Sequence, residues 1–137
     1  MFLSQKEKTK IGFSLQNDTS TLGSYGEELV INWLEKNNFK IEARNYRKKF
    51  AEIDIIATKK DLVVFVEVKS RKDPYPGIGL SEVVNYSKQK KIIMAAKDYI
   101  SRSKFVDKVY RFDIALVERV NSKFEVKYIE NAFTESY

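Results

Sequence analysis

Apolar residues recur along the 137-residue chain at two spacings, and each spacing predicts its own kind of element. Leu22, Tyr25, Gly26, Leu29, Trp33 and Lys36 follow one another at helical intervals, and Val30 and Leu34 widen the stripe. A helix over 22–37 is expected. Gly23 and Gly26 weaken its first turns by about 1 kcal/mol each and let another backbone come close. Three strands should follow, over 39–46, 52–58 and 62–70. Leu62-Val63-Val64-Phe65-Val66 is continuously apolar, as in a strand covered on both faces. Lys59-Lys60 separates the second and third strands, which predicts a hairpin. Its turn has two residues or more, since Lys-Lys is not a favoured hairpin pair.

The stretch from Asp73 to Gly79 reads as a loop by its Pro and Gly. Ser81 is a reasonable N-cap with Glu82 favourable behind it, so a second helix is expected from there to Ser103. Residues 109–118 and 124–130 read as the fourth and fifth strands. The order is helix, three strands, helix, two strands. It predicts an α/β domain with three α/β/α layers on a mixed five-stranded sheet. Residues 1–21 are polar and aperiodic and form a flexible N-terminal extension to a domain over 22–137.

Composition removes most alternatives for chemistry. The chain has no histidine and no cysteine, so Ser-His-Asp and Cys-His nucleophiles, Cys/His zinc sites and disulfides are all excluded. Acid-base or metal chemistry must come from carboxylates, Lys, Tyr, Ser or Thr. The apolar runs fall far short of the roughly 20 residues of a membrane span, and the N-terminus lacks a signal-peptide core. A cytoplasmic protein without a membrane partner is expected. The net charge of +6 and pI near 9.4 favour an anionic partner, nucleic acid first.

Strand periodicity then gathers the charged residues. In the third strand Val63, Phe65, Glu67 and Lys69 share a face. A two-residue loop at Lys59-Lys60 sets Asp54 opposite Phe65, diagonal to Glu67, and Glu52 opposite Glu67. Glu52, Asp54, Glu67 and Lys69 then lie on one face. Diagonal neighbours are about 7–8 Å apart, so Asp54 and Glu67 can close on one hard cation such as Mg²⁺ or Mn²⁺. Lys69 could hold the attacking water or offset charge growing on a phosphate. The bland alternative is a cross-strand Lys–Glu pair and a solvated Asp. For Glu52 a salt-bridging role is preferred. On the first helix Glu27 lies at the edge of the apolar stripe, whereas Glu28 faces water.

The spacing Asp54-x12-Glu67-x-Lys69 looks like the PD-(D/E)xK nuclease signature. The surrounding words are more specific. Gly23-x-x-Gly26-Glu27, Arg44-Asn45-Tyr46-Arg47, Glu52-Ile53-Asp54-Ile55-Ile56-Ala57, Phe65-Val66-Glu67-Val68-Lys69-Ser70-Arg71, Arg111-Phe112-Asp113 and Asn131-Ala132-Phe133 occur in order. Together they resemble the bacterial UPF0102 (YraN-like) family over about residues 22–133. The resemblance implies a restriction-endonuclease-like fold and a Mg²⁺-dependent nuclease site laid out as in archaeal Holliday-junction resolvases. It implies Asp54 and Glu67 as metal ligands with the Val68 carbonyl, Lys69 as the catalytic lysine, and Glu27 reaching the metal through water. Ala51 departs from the Gly usual before Glu-Ile-Asp.

The expected activity is hydrolysis of DNA phosphodiester bonds, with branched or structured DNA in view. The alternatives are a nucleic-acid-binding module with a degenerate site and a protein-interaction subunit. Arg47, Lys48, Arg71, Lys72, Lys88 and Lys91 are the candidate phosphate contacts; the competing reading is a solvated charged surface. A homodimer fits the need to cut two strands. Tyr25, Trp33, Tyr86 and Tyr99 are assigned to the core. Arg111 and Asp113 share a face of the fourth strand and should form a structural ion pair.

Overall fold

The computed structural model describes residues 19–71 and 84–135. Expectations for the tail before Thr19, for Lys72, for the 73–79 loop and for Ser81 and Glu82 lie outside those residues. Helix α1 spans Thr19–Lys36, followed by β1 (Lys40–Arg47), β2 (Glu52–Lys59), β3 (Leu62–Arg71), helix α2 (Tyr86–Ser101), β4 (Val109–Val120) and β5 (Lys123–Phe133). No helix among the described residues is long and apolar enough to cross a membrane.

Helix α1 begins three residues earlier than its stripe suggested and stops on a Schellman motif. Asn38 takes a left-handed φ of 68°, its N–H donates to the Glu35 carbonyl, and the Phe39 N–H donates to the Leu34 carbonyl. Helix α2 corrects the expected start at Ser81. It begins at Tyr86, because Asn85 is the N-cap and its side chain accepts the Lys88 N–H at 2.9 Å.

The strands run in the order β1-β2-β3-β4-β5. All neighbours are antiparallel except β3 and β4. That parallel pair needs a crossover connection, which α2 helps to build. The β2–β3 turn is Lys60-Asp61, with Lys59 paired to Leu62 and Lys60 at φ 53°. Its register is therefore displaced by two residues from the expected one, and the facing of side chains is unchanged. Asn121 and Ser122, both at positive φ, close the β4–β5 hairpin as a two-residue turn.

Each helix covers one face of the sheet. Val30, Ile31 and Leu34 of α1 pack against Val64 and Val66 of β3. Ile92, Ile93 and Ala96 of α2 pack against Val63 and Phe65. The α/β/α layering on a mixed five-stranded sheet is thus as expected, with β3 buried on both sides. Tyr25 meets Phe124 edge-on, Trp33 stacks on Tyr128 at 4.3 Å, and Tyr99 contacts Tyr46 and Phe65. Tyr86 departs from its core assignment. It is 56% exposed, because α2 starts there and its first residue projects beyond the sheet.

Two carboxylates fasten the structure, Asp98 between helix and sheet and Asp113 within the sheet. Asp98 of α2 accepts from the Tyr46 hydroxyl at 2.8 Å, lies 2.9 Å from the Lys48 ammonium and 3.1 Å from Arg102 Nε. Asp113 is wholly buried. It takes a bidentate pair from Arg111 at 2.8 and 2.9 Å, a hydrogen bond from the Tyr128 hydroxyl and the Asn131 N–H at 2.8 Å. The expected Arg111–Asp113 ion pair is present. It sits where one residue of β4 faces three of β5, between the pairs Phe112↔Phe133 and Ile114↔Ile129.

Lys48, then Tyr46, hold the Asp98 carboxyl down to about 2, below the roughly 3.9 of an unfolded chain. Its stabilisation is complete above pH ~4 and is lost as the pH falls toward 2. Asp98→Asn should flatten the acid limb of stability measured by urea melts between pH 6 and 2. An unchanged limb would assign it to other carboxylates. Asp113→Ala leaves Arg111 without its buried partner and should cost about 3–5 kcal/mol in the same melts at neutral pH.

Candidate active site

β2 and β3 stay paired only as far as Ile55↔Val66. Beyond it the register would set Asp54 level with Glu67, and Glu52 level with Lys69. This corrects the expected diagonal placement and the Glu52–Glu67 pairing. Ile53 packs on the α2 side and Ile55 on the α1 side, although residues two apart in a strand normally share a face. The alternation slips at Asp54. Its carboxylate takes a place in the gap between the strands, where Oδ2 accepts the Val68 N–H at 2.8 Å.

Glu67 is 6% exposed. Burial first, then a hydrogen bond with Asp54 and the Asp54 charge, push its carboxyl up to about 8, against the pull of Lys88 and Lys69. A second carboxylate this close disfavours the charged form of Glu67. Glu67 Oε2 has no hydrogen-bond partner, although Lys88 Nζ stands 3.3 Å from it. Lys88 reaches across from α2. Burial pulls its ammonium down, but the Glu67 charge and hydrogen bonds outweigh that and raise it. Lys69 moves the other way. Burial and the neighbouring Lys88 lower it, in spite of Glu67 and Asp54.

Glu27 enters from the α1 side, and Gly26 is what allows it. A Cβ on Gly26 would lie 2.0 Å from Ser70 Oγ and 3.2 Å from Ser70 Cβ, so a larger residue would force the Ser70 side chain to move and press the helix against β3. The close approach of another backbone expected at both glycines is found at neither: at Gly26 the near neighbours are the side chains of Ser70 and Val117, and Gly23 has open space around it. Burial and Asp54 raise the Glu27 carboxyl, with Arg44 opposing. Glu28 is exposed as expected and pairs with Arg44.

Asn45 escaped the sequence reading. It lies in β1 between the pairs Arg44↔Ile55 and Tyr46↔Ile53, at a left-handed φ of 51°. Its carboxamide nitrogen, oriented toward the acids, donates to Glu27 at 3.2 Å and Glu52 at 3.1 Å. The opposite orientation would set a carbonyl oxygen against two carboxylates, so the acids decide it. An Asn inside a strand pattern was the available signal, since Asn is depleted in strands and tolerates this φ. Glu52 also lies 3.6 Å from Arg47, the salt-bridging role expected of it.

The remaining basic candidates scatter. Lys48 is committed to Asp98. Arg47 and Arg71 are exposed at the ends of β1 and β3. Lys91 borders a cleft of about 340 Å³ that also includes Lys88. A larger cleft, about 430 Å³, lies at the other end of the sheet between Trp33, Phe39, Leu62 and Val109. No described side-chain group there is buried and unpartnered, whereas Glu67 Oε2 and Ser70 Oγ at the Asp54 end are.

The donor set suits a hard divalent cation. Asp54 and Glu67 offer carboxylate oxygens, one of them buried without a hydrogen bond. A strand residue presents its N–H and C=O to the same edge, so the Val68 carbonyl faces the gap with its N–H. No third acid among the described residues joins them as a ready-made metal cluster.

Asn45→Gly keeps the left-handed backbone and should leave stability within about 1 kcal/mol, whereas Asn45→Ala adds about 1–2 kcal/mol of strain. In both, carboxyl NMR titration should find the Glu27 pKa higher than in the parent chain. An unmoved Glu27 would show that the amide donates to neither acid.

The family model described as "Uncharacterised protein family UPF0102" matches residues 26–117. A UPF0102 protein of Clostridium acetobutylicum is 41% identical over 113 residues, covering 81% of this chain and 92% of that protein. Another, of Desulforapulum autotrophicum, is 40% identical over 119 residues, covering 87% and 98%. A third, of Alkaliphilus metalliredigens, is 38% identical over 115 residues, covering 84% and 99%. With two thirds of its length inside the family model and relatives matched nearly end to end, the chain belongs to the UPF0102 family.

Proposed function

We propose that this protein hydrolyses phosphodiester bonds of DNA with Mg²⁺ or Mn²⁺ held by Asp54, Glu67 and the Val68 carbonyl. The observation that carries the reading is the buried Glu67 beside the half-buried Asp54 and Lys69, with an oxygen of Glu67 left without a hydrogen bond. When bound, the cation supplies the positive charge that two facing carboxylates lack and polarises a phosphate oxygen. Lys69 orients the attacking water toward phosphorus. The water oxygen bonds to phosphorus and gives up a proton to solvent, the bond from phosphorus to the leaving nucleoside oxygen breaks, and that oxygen takes up a proton from solvent. Lys88 keeps Glu67 aimed into the gap, and Glu27 orders solvent on the α1 side. Arg47, Arg71, Lys88 and Lys91 are the proposed phosphate contacts around it.

A second reading rests on the same Lys88. Its ammonium already stands beside Glu67 and can balance that charge without any metal, as in a binding module that cuts nothing. Linear, nicked, flapped and four-way DNA incubated with Mg²⁺ or Mn²⁺ should separate the two. Cleavage is expected, and Asp54→Ala and Lys69→Ala should each lower its rate by roughly 10²–10⁴-fold. DNA binding without cleavage would favour the second reading, and cleavage that survives both substitutions would overturn the assignment of the chemistry to Asp54 and Lys69.

A further inference from the structure

The cleft beside Lys88 has a chemistry of its own. Phe50 and Ala51 line one wall, from the β1–β2 connection, and Ser87, Lys91 and Ile92 of α2 line the other. Phe50 is 41% exposed, a large ring held in water at the rim. Ile92 is buried and, with Ala51, adds apolar surface to the lining. Lys88 and Lys91 lie three apart on α2 and so share a face. Lys88 connects the cleft directly to Glu67, 3.3 Å away. Glu52 is the acid in the lining, and Arg47 stands 3.6 Å from it. Tyr86, flanked in the chain by the cleft residues Asn85 and Ser87, is also exposed.

An aromatic ring with apolar surface beside ammonium groups fits one ligand chemistry well. A base stacks on the ring and the backbone phosphate meets the lysines. A base inside a duplex offers no free face, since its neighbours cover both; it must be unpaired to enter. We propose that this cleft takes an unpaired nucleotide flanking the scissile phosphate, with its base on Phe50 and its phosphate on Lys91. The substrate class is then nucleic acid with a single-stranded nucleotide at the cut, rather than continuous duplex. The inference rests on the reading of the adjoining acids as a nucleic-acid site.

The test is binding of the wild-type chain, without divalent cation, to oligonucleotides carrying 2-aminopurine in a single-stranded flap or at the same position in duplex. Flap fluorescence should be quenched, and Phe50→Ala should abolish the quenching. The same change should weaken flap binding by roughly 5- to 150-fold, the range of one lost stack, and duplex binding by less than twofold. Phe50→Tyr should restore both quenching and affinity. Lys91→Ala should lower the salt slope of flap binding by about one. Phe50 is a rim residue, and unchanged thermal melting will show that its variants fold. Absent quenching, or equal losses on flap and duplex, overturns the proposal. A chain that binds and quenches but cuts nothing keeps the cleft and removes hydrolysis. A chain that cuts flap and duplex alike, indifferent to Phe50, keeps hydrolysis and removes the cleft.

Discussion

A carboxylate in the interior of a sheet must be answered by something, and here that is Glu67. It stands on the most apolar strand of the protein with 6% of its surface in water. Isolated burial of its charge would be prohibitive, so the neighbourhood is arranged around it. β2 parts from β3 on the Glu52 side of Ile55, which opens a gap between the two strands. Asp54 enters that gap and is held there by the Val68 N–H. Lys88 arrives from the helix on one face, and Glu27 from the helix on the other. The site is the place where strand pairing stops and side-chain chemistry takes over.

The remainder of the molecule holds those parts at fixed separations. Gly26 lets α1 lie against Ser70, which determines how far Glu27 reaches. Asp98 ties α2 to β1 through Tyr46 and Lys48, on the side from which Lys88 approaches. Asp113 secures the far end of β5 across an irregular stretch of the ladder. None of these three touches the Asp54–Glu67 pair. Each removes a freedom that would otherwise blur its geometry, since side chains must be held closely for chemistry to be fast.

Much of this was legible before any coordinates. The apolar run at Leu62–Val66 announced a strand covered on both faces, and period-two facing set Glu67 beside Lys69. Arg111 and Asp113 declared their ion pair by the same alternation. What failed was whatever depended on a turn or a break. The β2–β3 turn moved by one residue, to Lys60-Asp61, and carried the register with it, so Asp54 came level with Glu67. The slip of facing at Asp54 cannot be read from a pattern that assumes regular alternation. The expected start of α2 at Ser81 was misplaced because the cap is Asn85, whose side chain takes the Lys88 N–H; Asn is as competent a cap as Ser, so residue type alone does not choose between the two positions. Long-range bonds such as Tyr46–Asp98 span 52 residues and leave no local trace.

The left-handed backbone positions have a consequence for the unfolded chain. Six described residues other than glycine adopt positive φ: Asn38, Asn45, Lys60, Asn121, Ser122 and Asn131. The whole sequence contains only five glycines. Glycine would fit these bends with less strain, but it would also widen the conformational range of the denatured ensemble, at roughly 0.4–1 kcal/mol per site. By bending on asparagine, lysine and serine, the chain accepts local strain in the folded state and enters folding with less disorder to lose. Part of its stability is thus set where no folded contact exists.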